Sequence, residues 1–430
     1  MTEATPSLAP ALRNGDRRAR AAADTRRRIV EAAQKLFVQR GYQAVSLRDI
    51  AGEAGVAHPT VLRHYANKSE LLEAVVTAVE GALPVGPATP RLDDIVAVAR
   101  NHASTPGYTA LFSSLAGLAA NTQSPHLERF RDRYALARTL TAQALVPLRE
   151  AGTVADTHGE ATRLNAAWDG LQIMSLYVPE MVDVARELAD RVARLQGTPP
   201  ETVALARPSQ RTDGIAPTPA LPTGYASGRA QREHLIERAT DLFSREGYHA
   251  TSLRDLASFA GVSKTAVLHH FGSKENLLLQ VLQRRDELVR GRYGNVDDAP
   301  AEQLRALSAG ARADARDTPG LVRLYVRLST ESATPGHPAH DFFAERYRSS
   351  IDAVARLVDA AAGSGPSGTS RARHEAIWLL ALWDGLQIQW LYDPARVDIG
   401  DHLEAHIDAL CHTLPRQADD TQPATHDHAP

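Results

Sequence analysis

Apolar residues recur at three- and four-residue intervals along most of the chain, the spacing of buried helix faces. Ile29, Ala33, Leu36 and Phe37 share one such face, and Ile236, Ala239, Leu242 and Phe243 form a second in the other half. Gly41 and Gly247 follow them as C-terminal caps, where a residue without Cβ turns the chain out of the helix. Ser46 with Asp49, and Ser252 with Asp255, have the spacing of a capping box. A short helix over about 47–53 then buries Leu47, Ile50 and Ala51, and Gly55 reverses the chain. The next short helix, about 58–65, turns Val61 and Tyr65 inward and leaves His58, Thr60, Leu62, Arg63 and His64 pointing elsewhere. Asn67 and Glu70 open a longer helix that carries Leu71, Leu72, Val75 and Val76. Sustained alternation bounded by hairpin turns is missing, so the expected fold class is all-α.

The pattern occurs twice because the sequence does. "SLRDIAGEAGV" at 46–56 returns as "SLRDLASFAGV" at 252–262, identical at eight of eleven positions. The match runs without gaps from 33–72 onto 239–278, "TPG" at 105–107 returns at 318–320, and "WDGLQI" at 168–173 returns at 383–388. Motifs returning in one order over about 180 residues describe a duplicated domain, not a solenoid repeat. Between the copies, residues 197–228 contain six prolines and few large apolar residues, the composition of a linker. A coil of that length spans roughly 30 Å. Residues 1–24 and 415–430 read as disordered, the first as an arginine-rich arm with Arg13, Arg17, Arg18 and Arg20. The expected domains are therefore 25–80 and 81–196 in the first copy, and 229–285 and 286–414 in the second.

Composition narrows the function. The 430 residues carry a formal net charge of −3, so nucleic-acid binding would need a local basic face and not a whole-molecule field. A single cysteine, Cys411, excludes an intramolecular disulfide and a multi-cysteine zinc site and suits a reducing cytoplasm. No apolar run approaches a membrane span, and the N-terminus lacks the apolar region of a secretory signal. Phosphate-loop, nucleophile-elbow and zinc-protease motifs are missing, so no enzyme and no cofactor is expected. His337 and His340, and His426 and His428, have metal-like spacing without neighbours to complete a site, so they read as solvated surface.

Two short helices around a glycine turn make a helix-turn-helix, whose second helix enters the major groove. Here the residues become specific. G-Y-x-A-x-S-L-R-D-I-A-x-x-A-G-V, an eight-residue helix, an aromatic residue and K-S-E-L-L resemble the N-terminal domain of TetR-type transcriptional regulators, over about fifty residues in each copy. "WDGLQI…LY…P" is similar to the penultimate helix of that family's C-terminal domain. The resemblance implies a DNA-binding headpiece joined to a helical domain that binds a small-molecule effector and dimerises through its last two helices. It places Ser46 and Arg48 on the DNA backbone, His58, Pro59, Thr60, Arg63 and His64 on the recognition helix, and Lys68 on a phosphate. The matching second set is Ser252, Arg254, Lys264, Thr265, Ala266, His269, His270 and Lys274. Both copies depart from the family at Leu62 and Leu268, where it usually has a tyrosine; leucine can meet a thymine methyl but cannot bond a phosphate.

The tandem implies an intramolecular pseudo-dimer, with about 161–196 packed on about 371–413 through Leu171, Ile173 and Leu176 against Leu386, Ile388 and Leu391. Unlike recognition helices, "HPTVLRHY" and "KTAVLHHF", imply two unequal half-sites. The alternative is a homodimer of tandem chains in which one headpiece reads DNA and the other copy serves dimerisation or sensing. Ala57, where the second copy has Ser263, marks the first recognition helix as the weaker-capped one, with Pro59 a partial offset. Tyr108, Phe112, Phe130 and Tyr134, and Tyr325, Phe342, Phe343 and Tyr347, are the candidates to line effector pockets. Few charges lie among them, which favours an apolar or aromatic effector.

Overall fold

A computed structural model describes residues 9–42, 44–81, 90–119, 127–198, 226–290, 297–334, 336–363 and 370–413. Nineteen α-helices and no strand occur among them. The first copy begins with a headpiece of α1 (Ala9–Arg40), α2 (Leu47–Glu53), α3 (His58–His64) and α4 (Lys68–Gly81). Its larger domain comprises α5 (Leu92–Ser104), α6 (Tyr108–Ala119), α7 (Leu127–Ala144), α8 (Val146–Glu150), α9 (Thr157–Tyr177) and α10 (Val184–Leu195). The second copy repeats the order as α11 (Ala226–Glu246), α12 (Leu253–Phe259), α13 (Lys264–Phe271), α14 (Lys274–Arg290), α15 (Pro300–Asp317), α16 (Pro319–Glu331), α17 (His340–Ala361), α18 (Ser370–Tyr392) and α19 (Ile399–Thr413). Pro147, in the first turn of α8, separates α8 from α7 because it lacks the N–H that would continue the ladder, whereas α17 runs unbroken.

Two expected boundaries move. Helix α1 starts at Ala9, so the arm is helical from there and not a disordered segment to residue 24; the alanine- and arginine-rich stretch has high helix propensity. Helix α14 extends to Arg290, past the expected end of the second headpiece at 285. Most of the expected linker and the tail beyond residue 413 lie outside the described residues.

Each headpiece closes over a small core. Ile29, Leu36, Phe37, Ile50, Val61, Tyr65, Leu71 and Leu72 are buried in the first, and Leu235, Phe243, Leu256, Val267, Phe271, Leu277 and Leu278 in the second. The capping boxes form as the sequence predicts: the Asp49 amide donates to Ser46 Oγ at 3.2 Å and the Ser46 amide to Asp49 Oδ2 at 2.8 Å, with Ser252 and Asp255 repeating the exchange. Gly41 and Gly247 adopt φ values of 78° and 84°, in the left-handed region that costs glycine least.

The copies meet where α9 crosses α18. A Cβ added at Gly170 would stand 1.9 Å from the Ala381 carbonyl oxygen, and one at Gly385 would stand 1.7 Å from that of Ala166. These reciprocal contacts relate the copies by a pseudo-two-fold axis through the crossing. Leu171, Ile173, Leu386 and Ile388 are buried about it, as the repeated motif implies, while Leu176 is partly buried. Charged pairs rim the apolar contact: His374 Nδ1 lies 2.8 Å from Glu187, Arg138 lies 3.2 Å from Asp393, Arg348 lies 3.0 Å from Glu180, and Arg194 pairs with Glu375.

Two tyrosines also change sides. The Tyr177 hydroxyl donates to the Ser329 carbonyl of the second copy, and its ring packs against Phe343 and Tyr347. Tyr392 answers by donating to the Ala116 carbonyl and stacking on Phe130 and Tyr134 of the first copy.

Backbone contact at the crossing leaves no room for a methyl. Gly170→Ala and Gly385→Ala should each lose about 1–3 kcal/mol or more in urea unfolding. Gly52→Ala, facing open space on α2, should gain up to about 1 kcal/mol. Equal stability for all three variants would remove the close crossing as a determinant.

Candidate nucleic-acid interface and effector pocket

Helices α3 and α13 are each pinned by two inward residues, Val61 and the following Tyr65 for the first, Val267 and Phe271 for the second. The opposite face is left to solvent. Pro59, Leu62 and Arg63 are exposed on α3, with His58, Thr60 and His64 partly so; Lys264, Thr265, Leu268 and His269 are exposed on α13, with Ala266 and His270 partly so. Ser46, Arg48, Ser252 and Arg254 are exposed at the starts of α2 and α12. Leu62 and Leu268 are 43% and 37% exposed, large apolar side chains on otherwise polar faces. The caps differ as expected: Ser263 Oγ accepts from the Ala266 amide at 3.1 Å, whereas Ala57 offers no side-chain cap.

The two lysines expected to grip phosphate are partly buried and also contact their own headpieces. Lys68 Nζ donates to the carbonyls of Tyr42 and Val45, each at 3.0 Å, and lies 4.4 Å above the Tyr42 ring. Lys274 Nζ sits 4.0 Å above the Tyr248 ring. Burial lowers the pKa of both ammonium groups. Each lysine therefore braces the loop before the helix-turn-helix. Of the arm, Arg17 and Arg20 are exposed, and the side chains of Arg13 and Arg18 lie outside the described residues.

In the first copy a cavity of about 70 Å³ opens between α5, α6, α7 and α9, lined among others by His102, Tyr108, Phe112, Arg133, Tyr134 and Asp169. Three of the four expected aromatics reach it. Phe130 instead packs on Tyr392, at 5.1 Å between centroids. The polar wall was not foreseen. Asp169, from the repeated "WDG", is fully enclosed, and loss of solvation pushes its carboxyl up to about 7, with Tyr134, Arg133 and Gln389 drawing it back in part. Gln172 Oε1 and Trp168 Nε1, also on the wall, are buried without a hydrogen-bond partner among the described residues. An aspartate set between Trp168 and the glycine of the crossing, kept in both copies, was the available signal.

In the second copy the matching side chains contact one another. Tyr347 donates to Asp384 Oδ2 at 2.6 Å and Tyr325 to the same oxygen at 3.4 Å. The guanidinium carbons of Arg285 and Arg346 lie 4.4 and 5.3 Å from the Tyr325 ring centre. Phe343 packs against Tyr177, and Phe342 stands at the edge against Phe343.

His337 is buried, not solvated as its loop sequence suggested. Its Nδ1 accepts from the Ala339 amide at 3.1 Å, and its ring lies 5.0 Å from that of His249. His340 Nδ1 lies 3.0 Å from the Ser332 carbonyl oxygen, while His426 and His428 lie outside the described residues. His249, Glu331 and His337 bring donor atoms within 4.8 Å of one another. The bond to Nδ1 puts the neutral ring's proton on Nε2, making that nitrogen a donor and not a metal ligand. Glu331 meanwhile accepts from the amides of Tyr248 at 3.0 Å and His249 at 2.7 Å. The cluster is a hydrogen-bonded joint between the second headpiece and α16.

A pair of short helices around a tight turn with one solvated face, present twice in one chain, is the arrangement of a helix-turn-helix. Residues 29–75 and 235–281 each match the family model described as bacterial regulatory proteins, tetR family. The chain thus carries, in tandem, two segments similar to that family. It is 35% identical over 95 residues to the transcriptional repressor KstR2 of Rhodococcus jostii, covering 22% of this chain and 46% of that protein. Over 55 residues it is 44% identical to the transcriptional regulator RutR of Escherichia coli, covering 13% of this chain and 26% of that protein. The chain thus spans less than half the length of these curated relatives. A solved transcriptional regulator from a Rhodococcus species aligns at 23% identity and a TM-score of 0.36, over 43% of this chain and 95% of that one. No described helix is long and apolar enough to cross a membrane.

Two measurements probe these placements. Lys68→Ala should destabilise the first headpiece by about 1–3 kcal/mol in thermal melts, the worth of charge-assisted bonds to backbone carbonyls. Asp169 has a folded pKa near 7 against an ordinary 3.8, so the native state binds more protons between those values and stability falls as pH rises through them. The wild type should therefore lose stability relative to Asp169→Asn from about pH 4 to about pH 7 and then level off; a constant difference would mean the carboxyl is ionised throughout.

Proposed function

We propose that one chain acts as a complete repressor, reading an operator of two unequal half-sites and leaving it when a small molecule occupies the helical domain. The observation that carries the reading is the reciprocal α9–α18 crossing, which pairs the two headpieces within one molecule as a two-fold dimer pairs two chains. Ser46, Arg48, Arg63, Ser252 and Arg254 are the proposed backbone and base contacts, with His58, Pro59, Thr60 and His64 opposite Lys264, Thr265, Ala266, His269 and His270 as the unequal readers. The exposed Leu62 and Leu268 would meet thymine methyl groups. Two different faces at equivalent positions favour unlike half-sites.

Effector release is supported by the shared helices. Helix α6 carries Tyr108 and Phe112 of the cavity, and Gly107 just before it packs on Val38 of α1. Helix α16 carries Tyr325 and ends at Glu331, which holds the loop after α11. A ligand that favours one setting of α6 over another would shift the headpieces by that difference in affinity.

Selection of bound sequences from random duplex DNA, with the mass of the complex measured on the winning site, tests the reading. One chain on two unlike half-sites about one helical turn (34–36 Å) apart is expected. A strict palindrome bound by two chains would favour the alternative in which one headpiece reads DNA. On the selected site, Arg48→Ala and Arg254→Ala should each reduce the slope of log affinity against log salt by about 0.9, whereas an unchanged slope removes that arginine from the phosphate contacts.

A further inference from the structure

We propose that Glu331 and Arg327 are positioning residues that lock the second headpiece to the helical body of the protein. That headpiece then docks on DNA as a fixed reader, and the first headpiece carries the freedom by which the chain fits or leaves its operator. The proposal rests on the reading that both headpieces bind one operator, and it assigns the movement in that reading to one of them.

Helix α16 ends against the loop that follows α11. The buried Glu331 carboxylate accepts from the Tyr248 amide at 3.0 Å and from the His249 amide at 2.7 Å, so each oxygen holds one backbone donor of the second headpiece. Hydrogen bonds to an ionised acceptor are the shorter and stronger kind. One turn earlier, Arg327 donates to the Glu246 carbonyl at 3.0 Å and to the Gly117 carbonyl of the first copy at 3.4 Å. Gly117 and Thr330 occupy equivalent positions and meet each other, since a Cβ at Gly117 would stand 2.0 Å from Thr330 Oγ1. This end of α16 therefore lies at the pseudo-two-fold axis. Arg327 ties the second headpiece to that axis, and Glu331 fixes its loop. Gly247 makes room for both: a Cβ there would stand 2.8 Å from Arg327 Nε and 3.0 Å from Glu331 Oε2.

In the register set by the repeated "TPG", the first copy has Leu118 where the second has Glu331, and Ser114 where it has Arg327. A leucine cannot accept from an amide, and the Ser114 hydroxyl donates to the Ala110 carbonyl of its own helix at 2.8 Å. Where the first headpiece meets the body, Val38 packs on Gly107, and Gly41 lies against the Thr334 methyl of the second copy. Contacts between carbon atoms have no preferred direction, so surfaces slide across them more readily than past a carboxylate aligned with two amides. The charge of Arg327 also reaches Tyr42 of the first headpiece, but its hydrogen bonds go to Glu246 and Gly117. The lock belongs to the second copy.

Spin-label distance measurements on the full chain test the lock without DNA. In a Cys411→Ser background, Glu31→Cys with Leu136→Cys carries one label pair in the first copy. The equivalent Glu237→Cys with Ser349→Cys carries the other in the second, and all four positions are exposed. The second pair should give the narrower distance distribution, and Glu331→Gln or Arg327→Ser should broaden it towards that of the first pair. Circular dichroism checks folding, and Glu331→Gln, which keeps the side chain's volume, carries the test if Arg327→Ser fails to fold. Equal widths for the two pairs, or a second width that neither variant moves, overturns the lock. Fluorescence anisotropy on the selected operator then tests the docking. Glu331→Gln should weaken binding about tenfold, the worth of one lost charge-assisted bond, and should match the wild type once the second copy's half-site is scrambled. Equal weakening on both duplexes overturns the positioning role. Unequal label widths in a chain that selects no DNA support the lock and count against the operator reading.

Discussion

The backbone-to-backbone contact of α9 and α18 at Gly170 and Gly385 sets the geometry of everything else. Any side chain at either position would push the helices apart, and the surrounding contacts depend on their staying close. The crossing brings His374 to Glu187 and Arg194 to Glu375, and it carries Tyr177 and Tyr392 far enough to enter the opposite copy. Because both helices arise from one chain, the contact forms intramolecularly, and its entropic cost is that of closing a loop, not of bringing two molecules together. A fused pair is held together at any protein concentration.

Fusion frees the halves from being identical, and the structure differs between them in three places of one kind. The recognition helices present unlike side chains, one is capped by Ser263 and the other begins at Ala57, and one interior is occupied by Arg285 where the other has Val79. In a homodimer none of these sequence differences could exist, because both subunits carry the same residues. Here each half retains the frame, Trp-Asp-Gly at the crossing and the capping box at the headpiece, while its contact surface varies.

Polar groups in the helical domains have been placed with their partners. Asp384 is surrounded by Tyr325, Tyr347 and two arginines, and its carboxyl is held up to about 6, mainly by burial. Asp169, with fewer partners, is held higher. Tyrosine and arginine donors around a buried carboxyl offset its lost solvation, and the two interiors differ in how many they supply.

Local rules made much of this legible in advance. Helical spacing, the Ser46–Asp49 and Ser252–Asp255 boxes, the glycine turns and the repeated "WDGLQI" determined the all-α class, the duplication, the two headpieces and the segments that pair, because each depends on residues within a few turns of one another. The sequence also supplied three of the four first-copy aromatics that reach the cavity. Tertiary structure alone decided the rest. Lys68 bonds to carbonyls 23 and 26 residues away, and His337 is buried against a headpiece far off in sequence. Phe130 is covered by a tyrosine from the other copy, and Arg285 enters a space built by α16, α17 and α18. These outcomes depend on which distant surfaces meet, and one helix's periodicity carries no record of what lies opposite its face.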